Sequence, residues 1–351
     1  MTKTEAKTYQ HIVLASRPYG QITPGNFELK TSARLTAEKL TDNQVLVRNL
    51  FLSLDPYMRG RMSSVKSYAP PQPLHKTMLG ATAGMVVASK CPDFKEGDYV
   101  TGMLGWAEMG IAQGDTLRLV DTSRIPLTRY LGVLGMPGVT AWYGVNILLN
   151  AQAGQTLVVS AASGAVGSIV GQLAKAKGCR VVGIAGGVEK CAYVCDVLGF
   201  DACMDYKSAL TDKDMQVLVA AMVPEGIDLL FENVGSMVFD ACLTGLNPHA
   251  KIALCGMVAG YSGGALPLKN TNKLLTMRAS LQGFIVTEHM EIWPQALNEL
   301  TQLLLDNKLQ YRETISHGLA SAPAALIGLL NGQNFGKQLV QLGQARRSYL
   351  A

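Results

Sequence analysis

The segment Ala162-Ser163-Gly164-Ala165-Val166-Gly167 stands between an apolar run, Thr156–Ala161, and a helix-like stretch, Ala165–Lys177. A glycine-rich turn that leaves a buried strand and opens a helix restricts the fold sharply. The strand must lie in a sheet covered on both faces, and the helix must cross over it. The chain that follows keeps the same alternation. Strands are expected at Arg180–Ala185, Ala202–Met204, Ile227–Glu232, Lys251–Cys255 and Leu281–Val286. Helices are expected at Val188–Leu198, Asp212–Met222 and Ser236–Leu246, with Leu274–Met277 leading into the last strand. Alternating β and α units imply an α/β fold with a doubly wound, parallel, six-stranded sheet. Composition agrees: charged residues make up 16% of the chain and glycine 36 of its 351 residues. Both figures suit strands that read as continuous apolar runs.

The first 135 residues differ. Short alternating runs at His11–Leu14, Gln44–Leu52, Gly84–Ser89 and Leu117–Val120 are divided by Gly, Pro and Asp turns, the pattern of a partly closed β-barrel. The tail opens with a helix, where Trp293, Ala296, Leu297, Leu300, Leu303 and Leu304 recur at helical spacing, and turns β-like beyond Leu309. The expected division is a discontinuous β-rich domain, residues 1–135 and 307–351, around a nucleotide-binding domain, residues 136–306.

Several function classes drop out. The net charge of +5 is small and scattered, with no nucleic-acid footprint. The segment Leu131–Ala174 lacks charged residues, yet Pro137 and eight glycines break it, so no membrane span is expected. The opening Met1-Thr2-Lys3-Thr4-Glu5 lacks the apolar core of a signal peptide. Seven cysteines, an odd number, read as reduced thiols in the cytoplasm.

The chemistry starts at the glycine-rich turn. Gly164 and Gly167 stand where a dinucleotide site needs close backbone approach and tight helix–strand packing, and Ala162 replaces the usual first glycine. Backbone N–H groups at the helix start would hold the phosphates. NAD sites place an acidic residue at the end of the second strand, about 20 residues on. Here that position reads Ile184-Ala185-Gly186-Gly187, followed by Lys190, which favours NADPH and its 2′-phosphate. No metal site is expected. The stretch Leu79-Gly80-Ala81-Thr82-Ala83-Gly84, where zinc-dependent alcohol dehydrogenases carry a Gly-His-Glu segment, has no ligand. Cys91 is the only cysteine before 179, the five histidines have no metal spacing, and Cys191 and Cys195 read as core thiols.

Six ordered markers then carry a resemblance over nearly the whole chain: Leu54 to Met62, Gly135 to Ala141, Ala161 to Gly167, Phe231 to Gly235, Cys255 to Tyr261, and Gly332 to Lys337. The chain resembles the zinc-independent medium-chain dehydrogenases/reductases, within them the leukotriene hydroxydehydrogenase, prostaglandin reductase and alkenal double-bond reductase group, with bacterial curcumin reductases as nearest kin. The resemblance implies a Rossmann domain beside a GroES-like barrel. It also implies NADPH-dependent reduction of the C=C bond of α,β-unsaturated ketones and aldehydes, and a homodimer.

The resemblance assigns Gly164, Ala165, Val166 and Gly167 to the pyrophosphate, Lys190 to the 2′-phosphate and Tyr206 to the adenosine end. Asn233 follows the fourth strand. Cys255, Gly256, Met257 and Tyr261, with Phe284, Ile285 and Val286, would line the nicotinamide side, and Asn334 would reach the cofactor from the tail. Tyr57 and Tyr261 would face the substrate. Ser163 departs from the small apolar residue frequent in relatives. The implied chemistry is hydride delivery to the β-carbon, enolate stabilisation by a preorganised donor, and proton delivery to the α-carbon by Tyr261, Tyr57 or water. Two other readings share these residues: an NADPH quinone reductase, and an NADPH-binding protein without turnover.

Overall fold

The structure is a computed structural model and describes residues 7–263 and 266–343. The opening Met1–Glu5 segment and the last residues of the tail, from 344, lie outside the described residues. In chain order, the elements begin with β1 (Thr8–Leu14), β2 (Phe27–Ala33), β3 (Gln44–Ser53), α1 (Tyr57–Arg61), β4 (Thr82–Ser89), β5 (Tyr99–Gly102), β6 (Met109–Gln113) and β7 (Arg118–Leu119). The alternating region follows: α2 (Met136–Tyr143), β8 (Thr156–Ser160), α3 (Gly167–Ala176), β9 (Arg180–Ala185), α4 (Val188–Asp196), β10 (Ala202–Asp205), α5 (Asp212–Met222), β11 (Ile227–Glu232), α6 (Ser236–Thr244), β12 (Leu246–Leu254), α7 (Asn272–Thr276), β13 (Ser280–Gly283) and α8 (Trp293–Leu305). The tail adds β14 (Glu313–His317), α9 (Ala322–Leu330) and β15 (Lys337–Gln341).

Two compact units result. One comprises Met1–Gly132, Glu313–Asn334 and Gln338–Ala351; the other comprises Val133–Arg312 and Phe335–Lys337. The short piece Phe335–Lys337 thus belongs with the alternating region, whereas Asn334 just before it belongs with the β-rich unit.

The β-rich unit holds the antiparallel pair β1–β2 and a sheet of order β14-β15-β3-β4-β5-β7, with β6 also on β3. β3 is central. β4 runs along Val45–Leu52, while β6 pairs with Gln44–Arg48 and β15 with Phe51–Ser53. Nine of its ten residues are apolar, amide or hydroxyl, and eight are buried. The returning segment is held by packing: Leu326 of α9 and Val340 of β15 join Ile12, Leu14, Leu52, Met58 and Trp106 in one cluster. The Arg129–Glu313 ion pair, largely buried, ties it further. The β-like reading of the tail missed α9. Its sequence, Ala-Pro-Ala-Ala-Leu-Ile-Gly-Leu-Leu, is apolar nearly all round, so it carries no helical period.

The other unit matches the α/β expectation. Its sheet has the order β10-β9-β8-β11-β12-β13, and every pairing is parallel. The five residues of β8 are all buried. Val158, Val182, Ile184, Met204, Leu230 and Ile252 face a core completed by Met215 and Val219 of α5 and by Val238, Phe239 and Leu243 of α6. Each such side chain contributes about 1.5–3 kcal/mol when fully buried. β8 and β11 are neighbours although three strands apart in sequence, so the chain winds outward in both directions from between them. That is the switch point, and ligands of such sheets bind beyond its carboxyl ends. The last strand is shorter than expected. It ends at Gly283, so Phe284, Ile285 and Val286 lie past it, beyond the sheet's carboxyl edge.

Candidate active site

The first wall of the crevice is the turn after β8. Ala161 takes a left-handed φ of 51°, and the Gly164 amide donates to the Ala161 carbonyl at 2.9 Å. Helix α3 starts only at Gly167, so Gly164, Ala165 and Val166 form the turn itself. A Cβ on Gly167 would lie 2.3 Å from the Ala161 carbonyl oxygen, so only glycine allows the helix to start this close to the strand. The Ala162 variation also has a cause. A Cβ on Gly183 of β9 would fall 2.7 Å from the Ala162 methyl, so the glycine that relieves this contact has moved to the neighbouring strand. Phe335–Lys337 closes on the same turn: the Gly336 amide donates to the Ser163 carbonyl at 3.1 Å.

The second wall follows β11. The Asn233 amide donates to the Ser160 hydroxyl and its side-chain nitrogen to the Ser160 carbonyl, both at 2.8 Å. Glu232, fully buried, accepts the Val234 and Gly235 amides on Oε1 at 2.6 Å each. Its Oε2 has no partner among the described residues. Burial pushes this carboxyl up to about 7, against the opposing pull of the amides and of the Ser160 hydroxyl. The Cys255 and Gly256 amides donate to the Glu232 carbonyl at 2.9 and 3.2 Å, and the Val258 amide to the Asn233 carbonyl at 3.2 Å. This folds Cys255–Tyr261 over the β11 end. A Cβ on Gly256 would press to 3.1 Å from the Asn233 carbonyl oxygen and stand 3.4 Å from the Tyr261 hydroxyl, so that hydroxyl lies against Gly256 on this wall. Past β13, the Phe284 ring is 6.1 Å from Phe231 and 5.5 Å from Tyr143, and Val286 is buried.

At the end of β9, Gly186 leaves space that Tyr206 fills: its Cβ would lie 2.8 Å from the Tyr206 ring and 3.0 Å from Lys207 Cε. Gly187 has a φ of 97°, and its amide donates to Asp205 Oδ1 at 2.7 Å, as does that of Lys207 at 3.0 Å. Burial, and then the charge of Lys207, lower the pKa of Lys190. The Lys190 ammonium lies 5.9 Å over the Phe335 ring, and the Arg312 guanidinium 3.8 Å over it. Three cations thus gather near a strand end that lacks its own carboxylate. Sequence reasoning singled out Lys190 alone. Lys207 was visible in Met204-Asp205-Tyr206-Lys207; Arg312 and Phe335, distant in sequence, carried no local signal.

Tyr57 opens α1 in the β-rich unit and packs beside Met58 and Met62. Burial, and secondly Asp55, raise its phenol well above the ordinary range, so it stays protonated at neutral pH. Arg59 donates to the Gly20 carbonyl, and Asp55 takes the Ser53 hydroxyl. Of the expected site residues, the alternating unit brings together Gly164–Gly167, Asn233 and Cys255–Tyr261 along one edge of the sheet, with Lys190 and Tyr206 at the end of β9. Tyr57 and Asn334 belong to the other unit. Among the described residues, no three His, Cys, Asp or Glu side chains gather as a metal set.

A parallel sheet with a glycine turn and an anion-suited strand end at its carboxyl edge defines a dinucleotide-binding oxidoreductase. Two sequence families match in agreement: "N-terminal domain of oxidoreductase" over residues 10–120 and "Zinc-binding dehydrogenase" over residues 165–302. The NADPH-dependent curcumin reductase of Escherichia coli (strain K12) is 45% identical, over 94% of this chain and 96% of its own. The NADP(+)-dependent 2-alkenal reductase of Nicotiana tabacum is 38% identical, over 97% and 99%. CurA from Vibrio vulnificus, solved in complex with NADPH, superposes with a TM-score of 0.90 at 43% identity, covering 96% of this chain and all of that one. The chain belongs to the zinc-independent medium-chain dehydrogenase/reductase family, in the group that holds the curcumin, alkenal and prostaglandin reductases.

Glu232 gives a test of this geometry. Its folded pKa of about 7 lies above the ordinary 4.5, so folding binds a proton and stability falls as pH rises between those values. Glu232→Gln keeps an acceptor for the two amides and removes the titration. Relative to wild type it should gain up to about 3 kcal/mol between pH ~4.5 and pH ~7, then no more. Denaturant titrations across that range measure the difference; a constant difference contradicts the buried, titrating carboxyl.

Proposed function

We propose that the protein is an NADPH-dependent reductase of the C=C bond of α,β-unsaturated ketones and aldehydes. The observation that carries the cofactor choice is the Gly186-Gly187 strand end, packed against Tyr206 and Lys207, with Lys190 held there, its pKa lowered first by burial and then by the charge of Lys207. Two crowded ammonium groups favour an anion between them, and a 2′-phosphate supplies one. The relatives' activities support the substrate class. The turn fits the cofactor as well, since Gly167 lets α3 start hard against the end of β8, where a helix N-terminus offers backbone amides to a phosphate.

In this reading Gly164–Gly167 hold the pyrophosphate with backbone amides, Tyr206 borders the adenosine, and Lys190 with Lys207 takes the 2′-phosphate. Asn233 and Cys255, Gly256 and Met257 border the nicotinamide side with Phe284, Ile285 and Val286, and Asn334 adds a polar group. Bound NADPH supplies a hydride to the β-carbon. The chain's part is then to steady negative charge on the carbonyl oxygen and to deliver a proton to the α-carbon. Tyr261 is the first candidate for that hydroxyl, because it lies against Gly256 on the wall that follows β11; Tyr57, held protonated, is the second. A quinone as substrate is the alternative, separated by offering each acceptor with NADPH and following the nicotinamide absorbance.

The protein is further proposed to act as a cytoplasmic homodimer, which suits its seven free thiols. All four residues of the edge strand β13 are exposed, and an open edge invites pairing with a second copy. Light scattering at micromolar protein should return twice the 37.5 kDa chain mass; a monomer mass refutes the dimer.

Lys190→Ala should weaken NADPH binding about 10- to 150-fold and leave NADH nearly unchanged, the worth of one hydrogen bond to a charged group. Fluorescence titration with both cofactors reads this; equal loss for both removes Lys190 from phosphate recognition. Tyr261→Phe should lower kcat about 100-fold with little change in NADPH affinity, since the lost interaction forms in the transition state. Near-normal kcat would move the role to Tyr57 or solvent.

A further inference from the structure

Beneath the strand end that carries Gly186-Gly187 lies a cluster of sulfur that the reduction reaction does not use. Cys191 is on α4 and Cys203 on β10, and their sulfurs are 3.1 Å apart, with the Cys203 thiol donating to Cys191. Cys195, one helical turn beyond Cys191, is close enough for its charge to act on Cys203 and for that of Cys191 to act on it. A disulfide needs an S–S distance of about 2.05 Å, so the pair must close by only about 1 Å. Both cysteines are partly buried, neither of them sealed in the core, whereas Cys91, Cys179 and Cys242 are buried. Burial raises both thiols, and the Cys203 S–H offsets part of this on Cys191 by stabilising its thiolate. That makes Cys191 the attacking sulfur.

The surroundings connect this pair to the strand end. Cys191 directly follows Lys190, and its amide donates to the Gly187 carbonyl at 3.1 Å. Cys203 lies two residues before Asp205, whose Oδ1 holds the Gly187 amide. The Ala185 backbone, immediately before Gly186, acts on both thiols against the effect of burial. Any shortening between the sulfurs therefore pulls on the Gly187–Lys190 turn from its helix side and its strand side together.

We propose that Cys191 and Cys203 form an oxidisable dithiol whose disulfide weakens NADPH binding by displacing the Gly187–Lys190 turn. The oxidant is a peroxide. The Cys191 thiolate attacks the peroxide oxygen; the O–O bond breaks, giving a sulfenic acid and the alcohol, or water from hydrogen peroxide. The Cys203 sulfur then attacks the sulfenic sulfur, the S–S bond forms and water leaves. Two thiols are oxidised and one peroxide is reduced. Because coupling between sites is reciprocal, bound NADPH should slow the closure by the factor through which closure weakens NADPH. The link to affinity rests on the reading of this turn as part of the NADPH site; the dithiol itself does not.

The test treats the reduced, cofactor-free protein with hydrogen peroxide, blocks remaining thiols and digests it without reductant. The intact chain should lose about 2 Da, the two thiol hydrogens, and the map should join Cys191 to Cys203. Cys203→Ser should leave Cys191 as a sulfenic acid that dimedone captures. NADPH affinity, followed by fluorescence, should fall about tenfold on oxidation and return with dithiothreitol. The proposal is overturned if the two cysteines oxidise separately to sulfinic acids, if the link joins Cys195 instead, or if the linked protein binds NADPH as before. Reduced protein that never binds NADPH would refute the cofactor reading, and the mass and peptide map would still decide the dithiol.

Discussion

Two hydrogen bonds from Asn233 to Ser160, each 2.8 Å, tie the ends of β11 and β8 together where the sheet changes direction. Much of the candidate site is arranged around that tie. Ser160 is the last residue before the glycine turn, so fixing it fixes where Gly164–Gly167 begin. Asn233 is the first residue after Glu232, whose carboxylate gathers the next two amides and whose carbonyl takes two more from Cys255 and Gly256. One buried knot therefore sets both walls of the crevice. Its cost is a carboxyl oxygen without a partner, tolerated because Oε1 carries two amides at once.

The far end of the crevice follows a different logic. No carboxylate of its own stands at the end of β9, and Asp205 on the next strand spends one oxygen on two backbone amides. Beside it stand Lys190, Lys207 and Arg312, the first and last over the face of Phe335, with Glu189 near Lys190. A partly desolvated ammonium group beside a second cation is costly without an anion, and that cost underlies the proposed choice of a phosphorylated cofactor. The dithiol beneath the same turn adds a second input at this point.

Sequence carried the alternating unit well because its signals are local. A buried parallel strand reads as an apolar run and a glycine turn as a fixed spacing, so α5 and β11 fall where expected, Asp212–Met222 and Ile227–Glu232. The β-rich unit was less legible. β2 is largely exposed, β5 is only four residues long, and β6 pairs with the distant β3, so none stood out as an alternating run. α2 is buried almost throughout and α9 is apolar nearly all round, and neither kind of helix shows an amphipathic period. In the site, glycines and single polar residues were readable one by one. The Glu232 carboxyl, the Lys207–Lys190 proximity and the Arg312–Phe335 stack were not, since each depends on chain segments that meet only after folding.

The central claim is hydride transfer from NADPH to the β-carbon of an enone. The direct measurement uses NADPH carrying deuterium at C4 of the nicotinamide, an alkyl enone, and product analysis by mass spectrometry and NMR. The account predicts a saturated ketone with one deuterium on the β-carbon and a solvent-derived hydrogen on the α-carbon. An allylic alcohol labelled at the carbonyl carbon, or label consumed only with quinones, would contradict it.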